Sequence, residues 1–284
     1  MNKPTLRGLD LESHLRDPAR KQAYVTTMFD IIAPRYDQFT RWFSYGMDRS
    51  WKRGLIDAVV SRIPADARIV DLACGTGDIA FSLGSRLPGA IIVGVDAAPE
   101  MVVQAQRSLA RRPSDRISFQ VGDMMSLPFA DGSQDAVTIG YGLRNVPDFH
   151  GALREIVRVL KPGGVVACLD FARPSSWLWR KLFLGYLAIL GSLYGWWWHG
   201  EADVYRYIGR SIDHFVSWRA LSRAMADAGL EVVLERPRLF GGVCLHVGIK
   251  KSGVRSPESG VDNKSAMIGC PTPDPGPRTP DILR

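Results

Sequence analysis

The stretch VDLACGTGDIA, residues 70–80, decides the fold. ARIVDLA (67–73) is a short apolar run that breaks into a turn with glycines at 75 and 77, and DIAFSLGSRL (78–87) then takes up helical spacing. A buried strand, a glycine turn and a helix form the opening of a nucleotide-binding βα unit. Gly75-Thr76-Gly77-Asp78-Ile79-Ala80 fits the G-x-G-x-x-A form of a dinucleotide fingerprint.

Downstream the alternation continues. AIIVGVD (90–96) reads as a second strand ending in an acid, and PEMVVQAQRSLARR (99–112) as a helix opened by proline in its first turn. RISFQVGD (116–123), DAVTIGYG (135–142) and GVVACLDF (164–171) read as strands three to five. Before the fifth, DFHGALREIVRVLKPGG (148–164) puts Phe149, Leu153, Ile156, Val157 and Leu160 on one helical face, with Pro162-Gly163-Gly164 expected to end it. LEVVLERPRLF (230–240) and GVCLHVGIK (242–250) add two strands at an edge. The expected fold class is α/β, a doubly wound, mostly parallel seven-stranded sheet with N-terminal helices and a helical insert after strand five.

The expected organisation is an N-terminal extension (1–20), a core domain (21–251) with a helical cap insert (174–228), and a Pro-rich tail (252–284). Five prolines in the last sixteen residues prevent that tail from propagating helix or strand. Composition is that of an ordinary globular chain: 46% apolar, 23% charged. The four cysteines (74, 168, 244, 270) contain no C-x-x-C pair, which argues against a zinc site and a disulfide framework and for a reducing, cytoplasmic setting. The net charge of +7 lacks a run of five basic residues, so it gives only a weak indication of nucleic acid. No signal-peptide pattern is visible at the N-terminus.

The glycine turn also fits proteins that hold S-adenosylmethionine. A pyrophosphate wants an uncrowded helix N-terminus, and Asp78 stands in that first turn, whereas a sulfonium nucleoside tolerates acids there. Asp96, 19 residues after Gly77, is placed for ribose hydroxyls in either case. Asp123 in GDMMSLPF sits where a carboxylate accepts from an adenine amino group, with Met124 beside it to pack on the base. In this order, and with RVLKPGG following, these elements resemble the class I S-adenosylmethionine-dependent methyltransferases. More closely, MFDIIAPRYDQFTRWFSYGMDRSWKR, IGYGLRNVPDFHGALREIVRVLKPGG and EADVYRYIGRSI resemble the ubiquinone/menaquinone biosynthesis C-methyltransferase family, from about Met28 to Lys251. The resemblance implies S-adenosylmethionine as cofactor, with a site drawn from Asp71, Gly75, Thr76, Gly77, Asp96, Asp123, Met124 and Gly140. It also implies a prenylated quinol as substrate. The chain departs from the family pattern at Thr40 (usually Asn), Asp48 (usually His), Met124 (usually small) and Gly140 (usually Ser). The first two fall on the substrate side.

Carbon methylation of a quinol needs an ionised phenol (pKa about 10 in water), a dry pocket and a route for the ring proton. Arg144, after strand four, is a candidate to stabilise phenolate, or else a partner for Asp148 or Asp37. Asp37 is a candidate base, with capping or pairing within the helical lid as the plainer role. Tyr36, Tyr205 and Tyr207 are candidates to line the substrate pocket, or ordinary packing residues. His199 and His246 are isolated, and no metal is expected. LFLGYLAILGSLYGWWW (182–198) is uncharged and aromatic, with Arg180-Lys181 before it. At about 25 Å it falls short of the roughly 30 Å hydrocarbon core. It suits an interfacial helix on the inner face of a membrane, a wall for a prenyl tail, or a core helix. A homodimer or a biosynthetic complex would be compatible with these features. Rival readings are a nucleic-acid methyltransferase, disfavoured by IGYGLRN where such enzymes carry Asn/Asp-Pro-Pro-aromatic, a methyltransferase of another phenolic or lipid-like molecule, and a non-catalytic cofactor-binding partner.

Overall fold

The computed structural model describes residues 18–199 and 203–253. Seven strands form one sheet: β1 (Arg68–Leu72), β2 (Ile91–Asp96), β3 (Ile117–Val121), β4 (Gln134–Gly140), β5 (Leu160–Phe171), β6 (Leu230–Arg238) and β7 (Val243–Lys250). Their order is β3-β2-β1-β4-β5-β7-β6, parallel except for β7, which runs against both β5 and β6. The order reverses between β1 and β4. The crevice at the carboxyl ends of those two strands is therefore where ligands of open α/β sheets bind.

The apolar runs of β1 and β4 become central strands because they are buried on both faces: Ile69, Val70, Leu72, Val137 and Ile139 are all fully buried. Helices α4 (Asp78–Arg86) and α5 (Pro99–Arg111) follow β1 and β2, and α6 (Phe149–Val159) precedes β5. Asp148 caps α6 by accepting from the His150 N–H at 2.9 Å. This helix ends earlier than Pro162-Gly163-Gly164 suggests. Leu160 is already extended and pairs with Gln134, and Pro162 disfavours helix at the residue before it.

Helices α1 (Pro18–Ile32), α2 (Tyr36–Phe43) and α3 (Met47–Val60) precede the sheet, and α7 (Trp177–His199), α8 (Asp203–His214) and α9 (Trp218–Asp227) lie between β5 and β6. These two groups meet in a cluster of their own, in which Tyr24, Met28 and Ile32 pack with Phe183, Leu187, Tyr207 and Ile212. Helix α9, inside the range expected for the insert, instead buries Leu221, Ala224 and Met225 against α6 and the sheet. The structure thus places α7 and α8 with the N-terminal helices over the carboxyl edge, and α9 on the sheet face.

Candidate active site

Two cavities meet at the switch point. The first, a cleft of about 640 Å³, is walled by Ala73 and Gly75 after β1, Asp96 and Ala98 after β2, Asp123 and Met124 after β3, and Gly140 to Gly142 after β4. Helix α1 closes it with Val25 and Phe29. Ala73 (φ 49°) and Tyr141 (φ 61°) are both left-handed, a costly state for residues with a Cβ, and both stand at this crevice. Gly77 (φ 88°) has no alternative residue type: a Cβ there would lie 2.6 Å from the Phe119 ring.

Asp96 anchors the cleft. Its Oδ2 accepts from Gly75 N–H at 2.8 Å and its Oδ1 from Ala98 N–H at 2.9 Å, so the acid at the end of β2 holds the glycine turn in shape while lining the cavity. Burial raises its pKa, an increase that the two backbone donors offset only in part. Asp123 accepts from Met125 N–H at 2.9 Å and lines the cleft beside buried Met124. Gly140 lines it too, where a Cβ would meet Ile79 Cδ1 at 2.5 Å. Three of the expected cofactor residues do not line the cleft. Thr76 and Gly77 shape the turn. Asp71 is fully buried in β1, accepts from Thr138 Oγ1 at 2.7 Å, and is raised to about 7 by burial. Its other oxygen, Oδ2, is buried without a hydrogen-bond partner among the described residues. Asp78 pairs with Lys52 at 2.9 Å, which offsets part of the charge weighed above against a pyrophosphate.

The second cavity, about 610 Å³, lies under the N-terminal helices. Its walls are apolar (Met28, Ile32, Trp51, Phe171, Ile208), with polar groups from Tyr36, Ser44, Asp48, Tyr141, Arg144 and Tyr207. Tyr36 and Tyr141 line both cavities. Arg144 is not paired with Asp148. Its Nη1 donates to Asp170 Oδ1 at 2.7 Å and to the Tyr141 carbonyl at 2.5 Å. The correction follows from topology, since the register of β4 and β5 brings Asp170 beside the turn that carries Arg144. Asp148 is used as the α6 cap and by Arg154 at 3.4 Å. Tyr207 lines the cavity, but its hydroxyl donates to Asn145 Oδ1 at 3.1 Å. Asp37 lies on α2 and Tyr205 on α8, and both side chains fall outside the described residues. His246 is a core residue, with Nε2 3.0 Å from the Trp218 carbonyl.

Two buried polar atoms of this cavity's lining residues, Tyr141 Oη and Arg144 Nε, have no hydrogen-bond partner. Buried donors are rarely left so, and a bound polar ligand would satisfy them. Burial, and then the charge of Asp48, raises the Tyr141 phenol well above its ordinary value, so it stays a neutral donor. Lys21 of α1 ties the lid down, donating to the carbonyls of Val146 (2.7 Å) and Arg144 (3.2 Å); burial and the Arg144 charge lower it to about 8. The sequence reading passes over Tyr141 and Lys21, and Asp48 enters it only as a departure. Tyr141 had one signal, its place in GYG at the end of β4.

Residues 18–250 match the ubiE/COQ5 methyltransferase family. The chain belongs to that family. It is an S-adenosylmethionine-dependent C-methyltransferase. A demethylmenaquinone methyltransferase of Thermus thermophilus is 41% identical over 225 residues, 78% of this chain and 99% of that protein. A ubiquinone/menaquinone biosynthesis C-methyltransferase, UbiE, of Geotalea daltonii is 36% identical over 232 residues, covering 80% and 96%. Among solved structures, the [4+2]-cyclase SpnF superposes with a TM-score of 0.60 over 82% of this chain and 97% of its own, at 19% identity. That likeness speaks for the fold alone, which hosts more than one chemistry. The first cavity fits the family's cofactor: acids at the ends of β2 and β3 suit ribose and adenine, and among the described residues no basic side chain lines it for a phosphate.

Proposed function

We propose that this methyltransferase acts on a ring carbon of a prenylated quinol, a demethylmenaquinol or a 2-polyprenyl-6-methoxy-1,4-benzoquinol, in respiratory quinone biosynthesis. The observation that carries the reading is the second cavity, apolar on most of its wall, sharing Tyr36 and Tyr141 with the cofactor cleft and holding two unpartnered donors. A planar ring with two oxygens would satisfy those donors, and its hydrocarbon would match the wall. Gly75, Asp96, Asp123, Met124 and Gly140 would hold S-adenosylmethionine, which supplies an electrophilic methyl group. The chain's part is to bind the ring, exclude water and favour the ionised phenol. The Tyr141 hydroxyl and the Arg144 guanidinium are the groups we assign to the ring oxygen. Asp170 offsets much of the guanidinium charge, so Arg144 acts chiefly as a directed donor.

The prenyl tail has a route. A third cavity, about 950 Å³, shares Ser44, Trp51 and Phe171 with the second and continues between Tyr45, Met47, Trp179, Leu182, Phe183, Tyr186 and Leu239. Its surroundings are exposed and apolar: Trp177 is 62% exposed and Phe240 85%. Lys181 lies over the Trp177 ring at 4.8 Å. We assign this face to peripheral contact with an anionic bilayer, from which the substrate enters. Among the described residues no helix is long and apolar enough to cross a membrane. Complementation of a strain lacking quinone-ring methylation, with mass spectrometry of its extracted quinones, tests the reading. Methylated quinones should return, and continued accumulation of the unmethylated precursor despite expression would refute it.

A further inference from the structure

We propose that Asp48 is the proton acceptor of the reaction, removing the hydrogen from the ring carbon once that carbon carries its new methyl group. This rests on the quinol reading above.

Asp48 stands in the first turn of α3, after Gly46 in the left-handed conformation (φ 75°). A helix N-terminus favours a carboxylate and lowers the cost of burying it at 6% exposure. Ser44 Oγ donates to Oδ1 at 2.8 Å. Lys52 Nζ is 3.7 Å from Oδ2, too far for a hydrogen bond, and makes its short contact with Asp78 instead. Among the described residues nothing donates to Oδ2. Asp48 is also the acidic residue among the described ones that line the second cavity. The cavity's lining residues thus include two donors without an acceptor, Tyr141 Oη and Arg144 Nε, and a carboxylate, Asp48, whose Oδ2 accepts no hydrogen bond among the described residues and has the Lys52 charge 3.7 Å away. A ring that presents an oxygen to the donors and a C–H to the acceptor complements all three.

Of the other acids and phenols, Asp170, Asp96 and Tyr207 are engaged elsewhere, and the Asp37 side chain lies outside the described residues. A guanidinium cannot accept a proton. Asp170 is held by the Arg144 side chain and by its backbone N–H at 3.1 Å. Both oxygens of Asp96 are on backbone donors, and the Tyr207 hydroxyl is on Asn145. After methylation the ring is a neutral dienone. Its C–H bond breaks, the electron pair enters the ring and restores aromaticity as a phenolate, and the proton forms an O–H bond on Asp48.

The experiment uses the full chain and a short-tailed demethylnaphthoquinol, with hydrogen or deuterium at the ring carbon. Wild-type methylation of this compound comes first, and failure there strikes the quinol reading rather than the role of Asp48. Asp48→Asn keeps an oxygen for Ser44 but accepts no proton. Its kcat should fall about 100-fold or more, with KM changed little. A primary deuterium isotope effect on kcat should rise above the wild-type value as proton loss becomes limiting. Calorimetry should show unchanged S-adenosylmethionine affinity. Asp48→His, which restores a base, should recover part of the rate and lower the isotope effect. Wild-type turnover by Asp48→Asn would overturn the proposal. So would slow turnover with an unchanged isotope effect and no recovery by Asp48→His, the pattern of a structural residue.

Discussion

Arg144 and Asp170 form a buried ion pair of 2.7 Å, and the same carboxylate also accepts the Arg144 backbone N–H at 3.1 Å. One acid thus sets both the direction of the guanidinium and the path of the chain that carries it. Removing either partner leaves a buried charge without its counter-ion, typically a loss of about 3–5 kcal/mol. Arg144→Met should therefore lower stability to chemical denaturation by that order as well as turnover. The double variant Arg144→Met, Asp170→Asn should recover much of the stability and little of the turnover. Equal instability in the single and double variants would show that the pair is not coupled.

Asp71 provides a pH signature. Its carboxyl keeps its proton to about pH 7 in the folded chain, chiefly because it is buried, whereas the unfolded chain releases it near 4. The native state binds the extra proton between those values. The stability this confers is complete below about pH 4 and lost as pH rises through 7. Asp71→Asn stays neutral throughout. Relative to wild type it should gain stability on moving from pH 4 to pH 8, by a few kcal/mol at most. Melting curves at the two pH values check the sign, and a difference that does not change with pH would contradict it.

Gly140 and Ile79 fit one another. Serine at 140 would bring its Cβ to 2.5 Å from Ile79 Cδ1, at the wall of the cofactor cleft. Gly140→Ser should cost about 1 kcal/mol through overpacking and weaken S-adenosylmethionine binding in calorimetry. Adding Ile79→Val removes the Cδ1 atom and should restore both. No recovery would place the defect elsewhere.

The exposed face around the third cavity predicts lipid binding. Full-length protein should float with anionic liposomes, less so at high salt. Trp177→Ser with Phe240→Ser should lower the floating fraction several-fold while sparing turnover of a water-soluble short-tailed quinol, because neither side chain lines a cavity. Equal flotation of wild type and variant would remove this face from consideration.

The amino-acid sequence alone determined the doubly wound sheet and the glycine turn and acids that stand at its switch point. Strand burial, helical spacing and glycine turns are local signals: Gly75 must turn where it stands, and Asp96 must end β2 wherever the chain goes next. Tertiary structure decided what the polar residues do. Asp71 and Asp96 look alike as acids late in apolar strands, yet one is fully buried within the sheet and the other lines the cleft. Arg144 was visible, but its partner Asp170 lies 26 positions away and arrives through strand register. Asp48, Tyr141 and Arg144 meet only because α3 folds back over the end of β4. Hydrogen bonding and desolvation depend on which groups end up within a few ångströms of one another, and that proximity is a property of the packed molecule, not of the spacing along its chain.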